Sequence, residues 1–393
     1  MAGVSDFRAV KPSKSFWLWM AALAVLVLVG AYCAYTMEHE GHHITGMNNS
    51  IVWGLPHVFA ISLILAASGA LNGATLSSVF GNKLYSPYAR LSVALSICLL
   101  IGGLLVLVLD LGRPDRLAVA MTTYNFKSIF SWNIFLYTGF MAVGVLYLAT
   151  MLERSLQRFT QSMGVVALIW RIVLTTGTGS IFGFLVGRSA LDTAIIAPLF
   201  IALSLVMGSA LLALVIAWTG RWQAQTVDAT TRKSFVKLML WCITAVLYFS
   251  VVHHLTNLYV AEHQADQHNV LKGPFAVLFW SSHLALVAML CFMVAGLRKP
   301  AEAITAKVWH GLCAAAFIAC AMILYTVIIG AQSTPQLLFP DKIITASSFG
   351  DGGVSTYFPA IWEWGLGIGG MALSLLLLGL VSRVLPITAT SQS

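Results

Sequence analysis

The chain has 393 residues, of which 59% are hydrophobic and only 9% charged, against about 25% charged in ordinary soluble domains; this excludes a soluble fold and predicts an integral membrane protein. The net charge of +8 comes from basic residues scattered through short connections, so no basic patch exists and a nucleic-acid binder is excluded. All six cysteines fall inside apolar runs with no CxxC pair, which excludes a disulfide scaffold and argues against an iron–sulfur cluster or structural metal held by this chain alone.

Ten apolar runs long enough to cross a bilayer begin near Phe16, Val52, Tyr88, Ile129, Val165, Ile195, Lys237, Pro274, Val308 and Phe358. They do not alternate, so they read as helices and not as barrel strands. The first follows Arg8, Lys11 and Lys14, starts with Trp17 and Trp19, and lacks a small-residue cleavage site; it reads as a retained anchor. With the N-terminus inside, 15 of the 22 Lys and Arg residues lie inside, 6 lie outside and Arg171 lies within a helix. The positive-inside rule therefore puts both termini in the cytoplasm. The outer loops Glu38–Asn49, Gly112–Lys127, Val260–Lys272 and Ala331–Tyr357 are longer and richer in histidine and aromatic residues than the inner ones. The last, with Gly350-Asp351-Gly352-Gly353, suggests a docking face, an interhelical cap being the alternative.

Ionisable groups at membrane depth are costly, so each marks a candidate site. His57 is expected about one and a half turns below the outer end of the second helix. Asp110 closes the third. The two helices are antiparallel, which brings both residues to one depth as a proton-handling pair. The carboxylate fixes the imidazole tautomer. Such a pair suits a quinone, whose carbonyl the histidine can bond and whose proton the aspartate can carry. Trp132 and Asn133, opening the fourth helix, can close the same pocket, although Trp132 reads equally as an interfacial anchor. On the fifth helix Arg171 is expected one to two turns from the inner surface, either snorkelling or lining a proton route with Thr175, Thr176, Thr178 and Ser180. Near the outer end of the seventh helix stand His253 and His254, with His283 on the eighth, roughly 15 Å deep at the helical rise. Two histidines on neighbouring helices are what bis-histidine ligation of haem b requires; capping and interhelical hydrogen bonding are the other account. His310 reads as interfacial. Glu363, just inside the tenth helix, is a route member or a partner for an outer-loop cation. No P-loop, dinucleotide fingerprint, nucleophile elbow or metal-spaced His/Glu helix is present.

Several stretches carry a resemblance: Asn49 to His57, Asp110-Leu111-Gly112-Arg113-Pro114, Ser131-Trp132-Asn133, Thr176-Gly177, Pro198-Leu199-Phe200 and Gly208-Ser209-Ala210. Together they resemble the NrfD / polysulfide-reductase (PsrC) membrane-subunit family, and within it the DsrP-type subunit of the DsrMKJOP sulfur-metabolism complex. The resemblance implies an all-α integral membrane protein with about ten transmembrane helices. Helices 2–5 and 6–9 would form two four-helix bundles, with one flanking helix at each end. The implied organisation is a tail, first helix and outer loop over 1–50, a quinone-binding bundle over 51–187, a second bundle over 188–331, and an outer loop, tenth helix and tail over 332–393. It implies a quinone (menaquinone or ubiquinone) near the outer face and a periplasmic ferredoxin-like iron–sulfur subunit as partner. Further membrane and cytochrome subunits, and a place in a bacterial or archaeal cytoplasmic membrane, are implied too. Some relatives are thought to move protons and carry no haem, so the group of His253, His254 and His283 is where this sequence departs. The rival readings are a secondary transporter and a b-haem membrane cytochrome.

Overall fold

The computed structural model describes residues 7–223, 227–335 and 352–389. Among them, ten helices are long and apolar enough to span a membrane. They are α1 (Lys14–Glu40), α2 (Leu55–Ser78), α3 (Lys83–Leu109), α4 (Ile129–Leu152), α5 (Arg154–Gly183), α6 (Ile196–Trp222), α7 (Ala229–Tyr259), α8 (Ala276–Leu297), α9 (Ala306–Gln332) and α10 (Ile361–Val384). The protein is an all-α, multi-pass membrane protein. Its only described strands, Phe7–Arg8 and Thr388–Ala389, pair antiparallel beside one another.

Helix contacts close two rings. In one, α2 packs on α3, α3 on α4, α4 on α5 and α5 on α2; in the other, α6 packs on α7, α7 on α8, α8 on α9 and α9 on α6. The rings meet where α6 packs on α2 and α5, and α9 on α2. That seam is tight because both helices present glycine: a Cβ on Gly208 would sit 2.1 Å from the Gly69 carbonyl carbon, and one on Gly69 only 1.7 Å from the Ser204 carbonyl oxygen. Small residues let backbones approach where lipid provides no hydrophobic driving force. The two flanking helices lie side by side: α1 packs on α10, which packs on α3 and α2. Gly30 and Gly369 allow that contact, a Cβ on the former meeting the latter's Cα at 2.7 Å.

Two departures from the sequence expectation matter for the site. Regular helix in α5 starts at Thr160, after a 3-10 turn from Arg154 to Phe159. Its polar first turn hides this start from hydropathy, and Arg171 is thereby moved from near the start of the helix to its middle. The second departure is a break in α2 at Leu71, between Leu55–Ala70 and Asn72–Ser78. Its counterpart α6 runs unbroken from Ile196 to Gln223. The facing pair of broken helices that a transporter needs is not formed by these two. The expected docking loop over Gly350–Gly353 lies partly outside the described residues, which resume at Gly352.

Candidate functional site

His57 occupies the first turn of α2, closer to the helix start than the hydropathy run suggests. Pro56 beside it costs nothing there, because a first-turn N–H has no intrahelical partner to lose. Asp110 is the C-cap of α3. The antiparallel packing of α2 on α3 brings them together, His57 Nδ1 lying 2.6 Å from Asp110 Oδ2. The carboxylate side chain is fully buried and the imidazole 13% exposed. A carboxylate only accepts, so the proton sits on Nδ1 and Nε2 is left free to accept. Asp110 Oδ1 is buried with no partner among the described residues. From the loop between α1 and α2 His42 Nε2 donates to the Asp110 carbonyl at 3.2 Å.

His57, with Asp110 buried behind it, stands on the wall of a cavity of about 390 Å3 between α2, α3, α4 and α5, lined mainly by apolar side chains with His57, Asn133 and Tyr137 among them. Trp53 roofs this wall, its ring 6.0 Å from His57 at 28° and edge-on to Phe182 at 5.3 Å. Asn133 donates from Nδ2 to the carbonyls of Ile129 (2.9 Å) and Gly177 (3.1 Å), leaving a buried Oδ1 with no partner among the described residues. An apolar cavity of this size with a few unspent polar atoms is the normal form of a small-molecule site. Trp132 does not line it. One residue earlier on the helix, it faces outward, is 49% exposed and donates to the Phe126 carbonyl at 3.0 Å.

Sequence reading missed the residues that hold the wall in place. Gln332, ending α9, accepts from the Val52 and Trp53 N–H groups, both at 3.0 Å, and donates to the Trp53 carbonyl. Arg188, between α5 and α6, donates to the carbonyls of Ser50 (2.8 Å), Gln332 (3.1 Å) and Thr334 (2.8 Å). Burial lowers its pKa, opposed by nearby Asp266. The second bundle thus clasps the segment that carries Trp53 and His57. Only long-range pairing defines these roles, so no local signal marks them.

Glu363 is fully buried and spent on structure. Oε2 accepts from the Gly46 (2.9 Å) and Ala360 (2.7 Å) N–H groups, and Oε1 from the Tyr357 hydroxyl (2.5 Å). Tyr357 in turn accepts from Leu55 N–H at 2.6 Å. Burial, and then the Glu363 carboxylate, raise the Tyr357 pKa far above the ordinary phenol value, so the hydroxyl stays a donor. Glu363 therefore ties the loop between α1 and α2 to the starts of α2 and α10, apart from Arg171.

Arg171 is buried at mid-helix, donating to Asn72 Oδ1 (2.5 Å) and the Ser68 carbonyl (3.3 Å) at the break in α2. No carboxylate pairs with it among the described residues. It is too deep to snorkel. Asn72 bonds Ser209 of α6 at 2.8 Å. Toward the cavity, Thr175 bonds the Arg171 carbonyl (2.8 Å), and Thr178 lies 3.4 Å from the Tyr137 hydroxyl. On the other side Tyr147 and Ser78 pair at 2.5 Å. Polar groups thus mark successive levels of the first bundle and end at the cavity wall.

The histidines of the second bundle bond one another's surroundings. His283 donates from Nδ1 to the Phe279 carbonyl and accepts at Nε2 from Ser250, both at 2.7 Å. His254 Nδ1 bonds Gln267 (3.0 Å), and Asn257 links His253 (3.4 Å) to His263 (3.1 Å). Both ring nitrogens of His283 are thus engaged, whereas His253 Nδ1 is buried with no partner among the described residues. No group of three or more His, Cys, Asp and Glu suited to a metal occurs among the described residues.

The chain matches the family model described as "Polysulphide reductase, NrfD" over residues 43–336, and it belongs to that family. It is 25% identical to the Hdr-like menaquinol oxidoreductase integral membrane subunit of Archaeoglobus fulgidus, over 91% of this chain and 90% of that one. A selenate reductase subunit of Mesobacillus selenatarsenatis is 21% identical over 94% of each chain. The menaquinone reductase integral membrane subunit of Nitratidesulfovibrio vulgaris is 29% identical over 36% of this chain and 34% of its own.

Proposed function

We propose that this NrfD-family chain is the quinone-reactive membrane subunit of a multi-subunit oxidoreductase. It exchanges electrons between the quinone pool and an iron–sulfur or cytochrome partner on the outer face. The observation that carries this reading is His57 on the wall of the apolar cavity, bonded at Nδ1 to the buried Asp110 carboxylate. A quinol supplies two electrons and two protons. His57 Nε2 takes a hydroxyl proton, and the buried Asp110 carboxylate stabilises the imidazolium so formed. In the reducing direction the same pair delivers that proton. Asn133 Oδ1 accepts a hydrogen bond from the other hydroxyl, and the second proton leaves by His57 in turn, once the first has passed on. The relatives named for menaquinol and menaquinone support menaquinone as the quinone, and the residues shared with DsrP-type subunits support a setting in sulfur metabolism.

The apolar lip formed by Leu117, Met121 and Phe130 gives a lipid-soluble ligand a way in from the bilayer. The line of Tyr147, Arg171, Thr175, Thr178 and Tyr137 is the proposed path for protons between the far face and the cavity. The distribution of Lys and Arg supports a cytoplasmic position for that far face, which makes turnover electrogenic when the electron partner is outside. In the assembled complex, His57→Ala or Asp110→Asn should lower quinone-linked turnover by roughly 10²-fold or more, the usual worth of a general acid–base group. Unchanged turnover in both, with subunits still co-purifying, would overturn the assignment.

A further inference from the structure

A second cavity, of about 270 Å3, opens at the opposite end of the molecule between α6, α7 and α9. Arg221, Arg232, Trp309 and His310 line it together with apolar Ala217 and Val227, and no carboxylate does. Trp309 is only 1% exposed, yet its Nε1 has no hydrogen-bond partner among the described residues. An indole N–H only donates, and a buried one ordinarily finds an acceptor. Arg232 directs Nε to the Ile304 carbonyl at 2.9 Å and Nη1 to the Val227 carbonyl. No hydrogen bond to a described residue engages its Nη2, the Arg221 guanidinium or the His310 ring. The helices α7 and α9 begin here, capped by Asp228 and Thr305, so their positive dipole ends face the same region. The Asp228 carboxylate is bound to Thr231 N–H at 3.0 Å. Apart from the His310 ring, which can both donate and accept, every unspent side-chain group in the lining is a donor or a cation, and the occupant such a set recognises is an anion.

The depth of the cavity says which one. Arg221 belongs to the last turn of α6, and Arg232 and Trp309 to the first turns of α7 and α9. Beside them Trp218 and Trp222 stack edge to face at 4.8 Å, the kind of aromatic pair that settles at headgroup level. Basic pockets between helices at this depth take lipid phosphates. We propose that this cavity binds the phosphate of an anionic phospholipid, with Trp309 Nε1, Arg232 Nη2 and Arg221 as donors and the apolar walls along the acyl chains.

The test uses the full chain, reconstituted with phosphatidylglycerol and phosphatidylcholine, solubilised, washed, and weighed by native mass spectrometry. Wild-type protein should keep phosphatidylglycerol in preference to phosphatidylcholine. Arg221→Gln, at an exposed residue with no hydrogen-bond partner among those described, should lower that retention about fivefold, the effect of one interfacial cation. Trp309→Phe keeps the ring and removes the donor, and should lower it a few-fold. Equal retention of the two lipids, or retention unchanged in both variants, would overturn the proposal. Binding of inorganic phosphate that falls in Arg221→Gln, with no lipid retained, would assign the cavity to a soluble anion and overturn the lipid as its occupant.

Discussion

Asp110 has one oxygen on His57 and the other buried without a partner among the described residues, an arrangement that is expensive unless a ligand or proton uses it. The amide of Asp110→Asn can still accept from Nδ1–H, but it cannot neutralise an imidazolium. Its defect should appear in kcat with KM nearly intact, as measured by steady-state oxidation of a soluble quinol. Asn133 contributes one hydrogen bond to a bound ligand in the proposed scheme. Asn133→Ala should raise KM about tenfold, near the roughly 1.4 kcal/mol of a single well-placed bond, with a smaller effect on kcat. A kcat effect equal to that of Asp110→Asn would move Asn133 from binding to proton transfer. Trp132, facing outward beside it, should tolerate Phe with neither parameter changed.

At the scale of elements, the seam between the bundles rests on α2 against α6. The atoms that crowd Gly208 belong to the Gly69–Ala70 backbone, which cannot swing aside as a flexible side chain can. Gly208→Val should therefore part the helices, lowering the melting temperature in detergent by several degrees, on the scale of about 1–3 kcal/mol for overpacking. Gly311, with nothing within 4 Å of its would-be Cβ, is the matched control: Gly311→Ala should leave melting unchanged or raise it slightly. The clasp by Gln332 works across the same seam. Gln332→Ala frees the Val52 and Trp53 N–H groups and should loosen quinol binding from a distance.

The whole molecule is arranged as two rings of helices with the candidate site in only one of them. Both ring nitrogens of His283 are engaged by its neighbours, so reduction of the purified chain should give no b-type Soret shift; a shift lost in His283→Ala would reverse that expectation. Orientation sets whether turnover moves charge. Cysteines placed at Arg116 and Lys299 report on opposite faces. A membrane-impermeant maleimide should label the first in intact cells and the second only after lysis. The reverse pattern would put the quinone site on the cytoplasmic side and remove the electrogenic argument.

The number of spans and the meeting of His57 with Asp110 were legible in the amino-acid order. A bilayer converts the length of an apolar run into a crossing, and consecutive crossings into alternating direction, so residues at matching helix ends share a depth. The family resemblance was legible for the same reason, its motifs sitting at those ends. Azimuth was not legible. Helices apolar on every face carry no stripe to say which side turns inward, so the outward turn of Trp132 and the inward turn of Asn133 were settled by packing. Packing also set the mid-helix depth of Arg171, through a polar first turn that hydropathy does not count. It alone brought Gln332, Arg188, Glu363 and Trp309 to their partners or to the lack of one. Those residues act across long stretches of chain, and no local pattern encodes such a distance.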